Sequence, residues 1–183
     1  LAVCFRSNVW NIGAEGQFVM GALAAGGVAL LADKTTGPWI IPVILAAGVM
    51  GGMVWAGITA FLRDRFNANE ILVSLMLVYV ADLILNYMVF GPWKDPAGYN
   101  FPQTRTFEIV TQIPRLMQGS RVTIGILLGL LGVVALWLYL YRTYAGFAQE
   151  VSGLAPAASR YAGFSSRRAL WVALLISGGA AGL

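Results

Sequence analysis

The chain has 183 residues, of which 58% are hydrophobic and only 11% charged, with a formal net charge of +4; an ordinary soluble domain is about a quarter charged. Apolar runs of 18 or more uncharged residues recur, which argues against a water-soluble enzyme or a peripheral protein and points to a bilayer. With no histidine, one cysteine and no GxxxxGK[ST] string, there is no imidazole base, metal or redox cysteine pair, or phosphate loop, so any nucleotide hydrolysis that powers this protein belongs to another chain.

Leu1 to Phe5 reads as the tail of a preceding helix, and Cys4 within it as a small buried apolar side chain. The absence of an initiator methionine and the apolar stretch that stops at Leu183 read as a fragment of a longer protein. Asn11, Glu15 and Gln17 then cluster around Gly13 and Gly16. Glycines there allow a broken helix, the device by which many transporters present polar backbone to solute. The competing reading, preferred on the residues alone, is a polar interfacial turn before a helix whose N-terminus Glu15 stabilises.

Four apolar segments follow at 18–32, 39–62, 71–90 and 122–141, with a truncated fifth at 169–183. The second, third and fourth are long enough to cross a hydrocarbon core of about 30 Å at about 1.5 Å per residue. The first crosses only if the polar stretch before it is drawn to membrane level, which irregular backbone tolerates where it is buried in protein or lines a cavity. The expectation is an all-α polytopic transmembrane helical bundle.

The connections 63–70 and 142–168 must share a side, and they hold Arg63, Arg65, Arg142, Arg160, Arg167 and Arg168. The opposite side, with 33–38 and a long outer loop at 91–121, holds Lys34, Lys94, Arg105, Arg115 and Arg121. Counted near the helix ends, positive charge assigns the first side to the cytoplasm. The later part of the outer loop, Phe107, Ile109, Val110, Ile113, Leu116 and Met117, has a helical apolar spacing broken by Pro114, as in a short surface-packed helix.

Within 71–90 the informative residue is Asp82, near the centre of the segment, where a carboxylate costs about 2.5 to 3.5 kcal/mol and needs a cavity, a polar partner or a proton. At about 100° per residue, Ser74, Tyr79, Asp82 and Asn86 fall within an arc of about 140°. Such a stripe lines a solute pathway or makes a hydrogen-bonded packing network between helices, and both readings stand. Gly48 with Gly52, Gly125 with Gly129, and Gly178 with Gly182 are each four apart, the spacing that lets helices approach closely in lipid. The loop 142–168 reads as turn, short helix, turn: Gly146 and Gly153 interrupt it, Pro156 suits a first helical turn, and Gly163 ends the helix. On spacing alone it is a solvated basic loop that anchors topology, although a soluble partner can grasp such a helix.

Several collinear strings give the chain a resemblance. Asn11-Ile12-Gly13-Ala14-Glu15-Gly16-Gln17, then Asn69-Glu70-Ile71 leading into Ser74-Leu75-Met76-Leu77, then Gly91-Pro92-Trp93-Lys94-Asp95-Pro96 and Phe101-Pro102-Gln103-Thr104 resemble the permease subunits of bacterial ABC importers for nucleosides and simple sugars, which belong with the ribose and branched-chain amino acid permeases. The family's cytoplasmic coupling pattern, G-x-N-P-x-A-A-R-Y-A-G, is similar to Gly153 through Gly163 here, with Ala155 in place of Asn, Ser159 in place of the second Ala, and Glu150 where relatives commonly place arginine.

The resemblance implies a fragment of a larger permease in the bacterial cytoplasmic (inner) membrane, one that moves a nucleoside or simple sugar by alternating access. Gly153, Pro156, Ala158, Arg160, Tyr161 and Gly163 would dock an ABC ATPase subunit, and Asn11, Glu15, Gln17, Asn69, Glu70, Ser74, Asp82 and Asn86 are the candidates for the translocation path. A second permease subunit, an extracytoplasmic solute-binding protein and the lipid bilayer are the other expected partners. Neither nucleic acid, cofactor nor metal is expected, and no residue would make or break a covalent bond. The alternatives are an ion-coupled secondary transporter using Asp82 and, less well supported, a membrane enzyme or scaffold subunit, which lacks paired catalytic carboxylates.

Overall fold

The computed structural model describes residues 1–32, 37, 39–96, 98, 101, 103–114 and 123–183. Among these the secondary structure is helical: α1 (Ala2–Arg6), α2 (Ala14–Leu30), α3 (Ile40–Phe66), α4 (Glu70–Phe90), α5 (Gly125–Arg142), α6 (Tyr144–Leu154), α7 (Pro156–Tyr161) and α8 (Ser166–Gly182), with a single 3-10 turn at Ile109–Thr111. Three of them, α3, α4 and α5, are long and apolar enough to cross a membrane, while α2 is apolar but shorter.

The core is the α2–α3–α8 group, joined by α4 on the side of α2. Small residues make this packing close. The pairs Gly48/Gly52 and Gly178/Gly182 face each other, so that a Cβ at any of the four would run into the backbone of the opposite helix. Gly21 joins them from α2, against Gly182 and the Gly48 carbonyl. The third pair behaves differently: among the described residues Gly125 has only Thr123 nearby and Gly129 nothing within 4 Å. α5 carries its apolar residues outward, with Leu130, Leu131, Val133, Val134 and Trp137 all exposed.

Helix ends follow capping chemistry rather than the ends of the apolar runs. α3 continues past Leu62 through Arg63, Asp64 and Arg65 until Asn67 takes the left-handed conformation at φ 52, which asparagine tolerates. Asn69 then caps α4 by accepting the Ile71 amide at 2.9 Å. Cys4 is fully buried, with its Sγ donating to the Ala173 carbonyl at 3.3 Å.

The outer loop is pinned where described. Trp93 packs against Gly26 and Gly27 of α2, and Lys94 bridges Thr104 in antiparallel fashion, flanked by Asp95 N–H to the Gln103 carbonyl at 3.0 Å. The spacing that suggested a surface helix from Phe107 yields only the 3-10 turn before Pro114; Leu116 and Met117 lie outside the described residues, as do Lys34, Arg115 and Arg121.

Candidate functional site

Two regions concentrate the polar residues. The first is a buried knot where the chain breaks between α1 and α2. α1 stops at Arg6, Asn8 turns at φ 54, and residues 9–13 run without helix until Ala14. This stretch is held by Asn11, only 2% exposed. Its Nδ2 donates to Gln17 Oε1 and to Ser177 Oγ, each at 3.0 Å, while its Oδ1 accepts from Gln17 Nε2 at 3.0 Å and from the Gly13 amide at 3.1 Å. Gln17 is 1% exposed. Asn11 thereby closes an Asx-type turn into α2 and fastens it to α8, about three turns from that helix's start.

Of the sequence candidates, Asn11 and Gln17 thus meet each other and the unanticipated Ser177, which no sequence signal could place beside Asn11. Glu15 points outward and is exposed. Ser74 is buried against Gly13, close enough that a Cβ there would lie 2.8 Å from the Ser74 Cβ. Asn69 and Glu70 belong to the α3–α4 turn: Asn69 is the cap, and Glu70, 5% exposed, is ion-paired with Arg63.

The stripe on α4 divides. Its buried face runs through Glu70, Ser74 and Ala81, and at about 100° per residue Asp82 stands roughly 80° from Ser74, with Asn86 and Tyr79 farther round. Tyr79 and Asn86 are accordingly exposed and Asp82 is half-buried; Asn86 Nδ2 donates to the Asp82 backbone carbonyl at 2.9 Å rather than to its carboxylate.

The second region is the loop end of the bundle, where α6, α7, the end of α3 and the start of α8 converge. Gly146 and Gly153 do not interrupt α6 but lie within it, because each sits against passing backbone: Gly146 on the Tyr139 and Leu140 carbonyls, Gly153 on Arg6 to Asn8. Pro156 opens α7, as its fixed φ favours. The helix ends in a Schellman turn at Gly163, φ 83, with Phe164 N–H to the Ser159 carbonyl at 2.9 Å and Gly163 N–H to the Arg160 carbonyl at 3.1 Å.

Ser159 is fully buried and its hydroxyl meets that of Ser152 at 3.1 Å, clipping α7 onto α6. The opposite face of α7 is presented outward: Ala158 and Arg160 are exposed and Tyr161 is 97% exposed. Arg160 Nε donates to the Pro156 carbonyl at 3.3 Å. Glu150 is engaged by Arg6, and Asp64 accepts from Arg167 Nε at 2.7 Å and the Trp171 indole at 3.0 Å. These contacts lower the Asp64 carboxyl pKa, the indole hydrogen bond most, then Arg167, against a partial burial that opposes them. They also put the α3–α4 turn and the α5–α8 connection at one end of the bundle.

The family pattern for the branched-chain amino acid transport system permease component matches residues 1–183, the whole chain. The chain belongs to that permease family. It is 34% identical over 96% of its length to the glucose ABC transporter permease protein TsgB13 of Haloferax volcanii, of which it covers 48%. It is 32% identical over its full length to the guanosine ABC transporter permease protein NupP of Bacillus subtilis, covering 53% of it, and 25% identical to the nucleoside ABC transporter permease protein NupB of Lactococcus lactis subsp. cremoris, covering 52%. The chain spans about half the length of these curated relatives. No solved structure matches it. As a member of this permease family with several apolar helices, it is a multi-pass membrane protein, and nothing in these likenesses supports the ion-coupled alternative through Asp82.

Proposed function

We propose that this chain supplies part of the permease subunit of an ATP-binding cassette importer that moves a nucleoside or simple sugar by alternating access, with ATP hydrolysed on a partner. The observation that carries the reading is α7: a short helix clipped to α6 by Ser159 and Ser152, closed by the Gly163 turn, with Arg160 and Tyr161 free to meet a soluble protein. A nearly fully exposed tyrosine beside an arginine is the composition of an interface anchor. Gly153, Pro156 and Gly163 shape this face, and Ala158 leaves it shallow.

In the same reading α7 lies on the cytoplasmic side, a second permease subunit and an extracytoplasmic solute-binding protein complete the assembly, and the membrane is a cytoplasmic one. The chain performs no chemistry of its own. Asn11, Gln17 and Ser74 hold the broken start of α2, whereas Asp82 and Asn86 on the outward side of α4 are left to meet solute or neighbouring helices. Nucleoside is preferred to sugar on the Asn11–Gln17 and Gly91–Pro96 strings alone, since the relatives divide between glucose permeases and guanosine or nucleoside permeases.

The test is purification of the full-length protein from native membranes in mild detergent. An ATPase subunit co-purifies, and replacing Arg160 and Tyr161 by alanine removes it. Absence of any ATPase, or retention undiminished in the double variant, refutes the proposed docking role.

A further inference from the structure

We infer that Arg6 and Glu150 form a two-way strut that carries movement of the α6–α7 face to the break between α1 and α2; this rests on the transport reading above. Arg6 is the last residue of α1. Its Nη2 lies 3.0 Å from one carboxylate oxygen of Glu150 and 3.1 Å from the other, its Nη1 donates to the Leu140 carbonyl at 3.4 Å, and its guanidinium lies 4.2 Å from the Tyr141 ring centroid. One side chain thus gathers the end of α5, the middle of α6 and the end of α1. One guanidinium nitrogen is shared by both carboxylate oxygens while the other is held by the Leu140 carbonyl and the plane lies over a ring, so the arginine is anchored at three places and the pair is better ordered than two freely solvated side chains.

A second contact acts beside it. One helical turn beyond Glu150, the backbone at Gly153 presses on the turn after α1: a Cβ there would lie 2.8 Å from the Ser7 carbonyl carbon and 3.0 Å from the Asn8 nitrogen. Steric contact transmits a push and nothing else. The Arg6–Glu150 pair resists separation and so transmits the pull. Beyond Asn8 the chain has no helical ladder until Ala14, and its far end is fixed by Asn11 to Gln17 and Ser177. Displacement of α6 in either direction therefore reaches the buried knot through the four residues between Arg6 and Asn11. Glu150 is a positioning residue in this scheme and touches neither solute nor ATPase.

The experiment reads the knot directly and needs no known solute. Ile12, next to Asn11, is half-exposed. Ile12→Cys is introduced into full-length permease reconstituted with its ATPase in liposomes, other accessible cysteines being replaced by serine, and maleimide labelling is compared without nucleotide and with ATP plus orthovanadate. The labelling rate changes several-fold on adding ATP in the otherwise unaltered complex and in Glu150→Asp, and the response is lost in Glu150→Gln and Glu150→Lys although ATP hydrolysis continues. An undiminished response in Glu150→Lys, or no response at position 12 in the otherwise unaltered complex, overturns the strut. A preparation from which no ATPase co-purifies overturns the transport reading instead. Melting temperatures of the variants, together with rescue by Glu150→Asp, separate loss of transmission from loss of fold.

Discussion

Asn11→Ala tests the buried knot most sharply. The substitution removes four hydrogen bonds and leaves both ends of the Gln17 amide, the Ser177 hydroxyl and the Gly13 amide without their partner. An orphaned buried polar group costs about 1 to 3 kcal/mol in water-soluble proteins, while polar contacts between membrane helices average about 0.6 kcal/mol. Taking values between these for groups that cannot reach water gives a loss of about 3 kcal/mol. At roughly 2 °C per kcal/mol for a chain of this size, the melting temperature falls by about 6 °C. Gln17→Leu removes only the reciprocal pair and costs about 1 to 2 kcal/mol, because Asn11 keeps Ser177 and Gly13. The double variant then loses less than the sum by about 1 to 2 kcal/mol, since the shared pair is lost only once. Thermal unfolding of the four proteins in one detergent measures this cycle. Additive losses, or an Asn11→Ala protein within about 0.5 kcal/mol of the parent, would refute the knot as a coupled unit.

Three further outcomes are expected. Gly52→Ala drives a methyl into the Gly178 carbonyl and destabilises by about 1 to 3 kcal/mol, whereas Gly129→Ala, with nothing within 4 Å, is neutral or slightly stabilising; melting temperatures in detergent give both signs. Gly163→Ala places a Cβ at φ 83 and costs about 1 kcal/mol, loosening the end of α7, which limited proteolysis near Phe164 detects. Asp64 lies beyond the apolar part of α3 and its carboxyl is held below its ordinary value of 3.8. A lowered pKa means that its contribution is complete above 3.8 and is lost as pH falls through the native value; tryptophan fluorescence in acid therefore reports release of Trp171, and Asp64→Asn removes that acid-dependent step.

The helices were legible because uncharged runs of this length have few other fates, and the end of α7 because proline and glycine mark helix ends by fixed physical rules. Other boundaries followed from contacts distant in sequence. α3 runs on through Arg63, Asp64 and Arg65 because Asp64 finds Arg167 and Trp171 more than a hundred residues away. Gly146 and Gly153 resemble breaks in sequence and are seats for neighbouring backbone in the fold. Of the polar candidates, Asn11 and Gln17 came together, but their partner Ser177 carries no local signal. The arc from Ser74 to Asn86 follows from helical geometry alone; which part of it packs is decided by where α2 lies against α4.

The four glycines between α3 and α8 also limit how this molecule can move. At these four positions backbone is seated on backbone, so little side-chain layer is left there to change rotamer and let one helix slide on the other, although Met53 and Leu175 pack beside them. Translation along that seam would strike carbonyl oxygens within a fraction of a turn, which favours movement of α3 and α8 together. Rearrangement is then easier at surfaces faced with flexible side chains, and the outward-facing leucines and valines of α5 offer one such surface. In a bilayer those side chains can exchange one set of neighbours for another at little cost, which makes the α5 side the bearing and the glycine seam the axle.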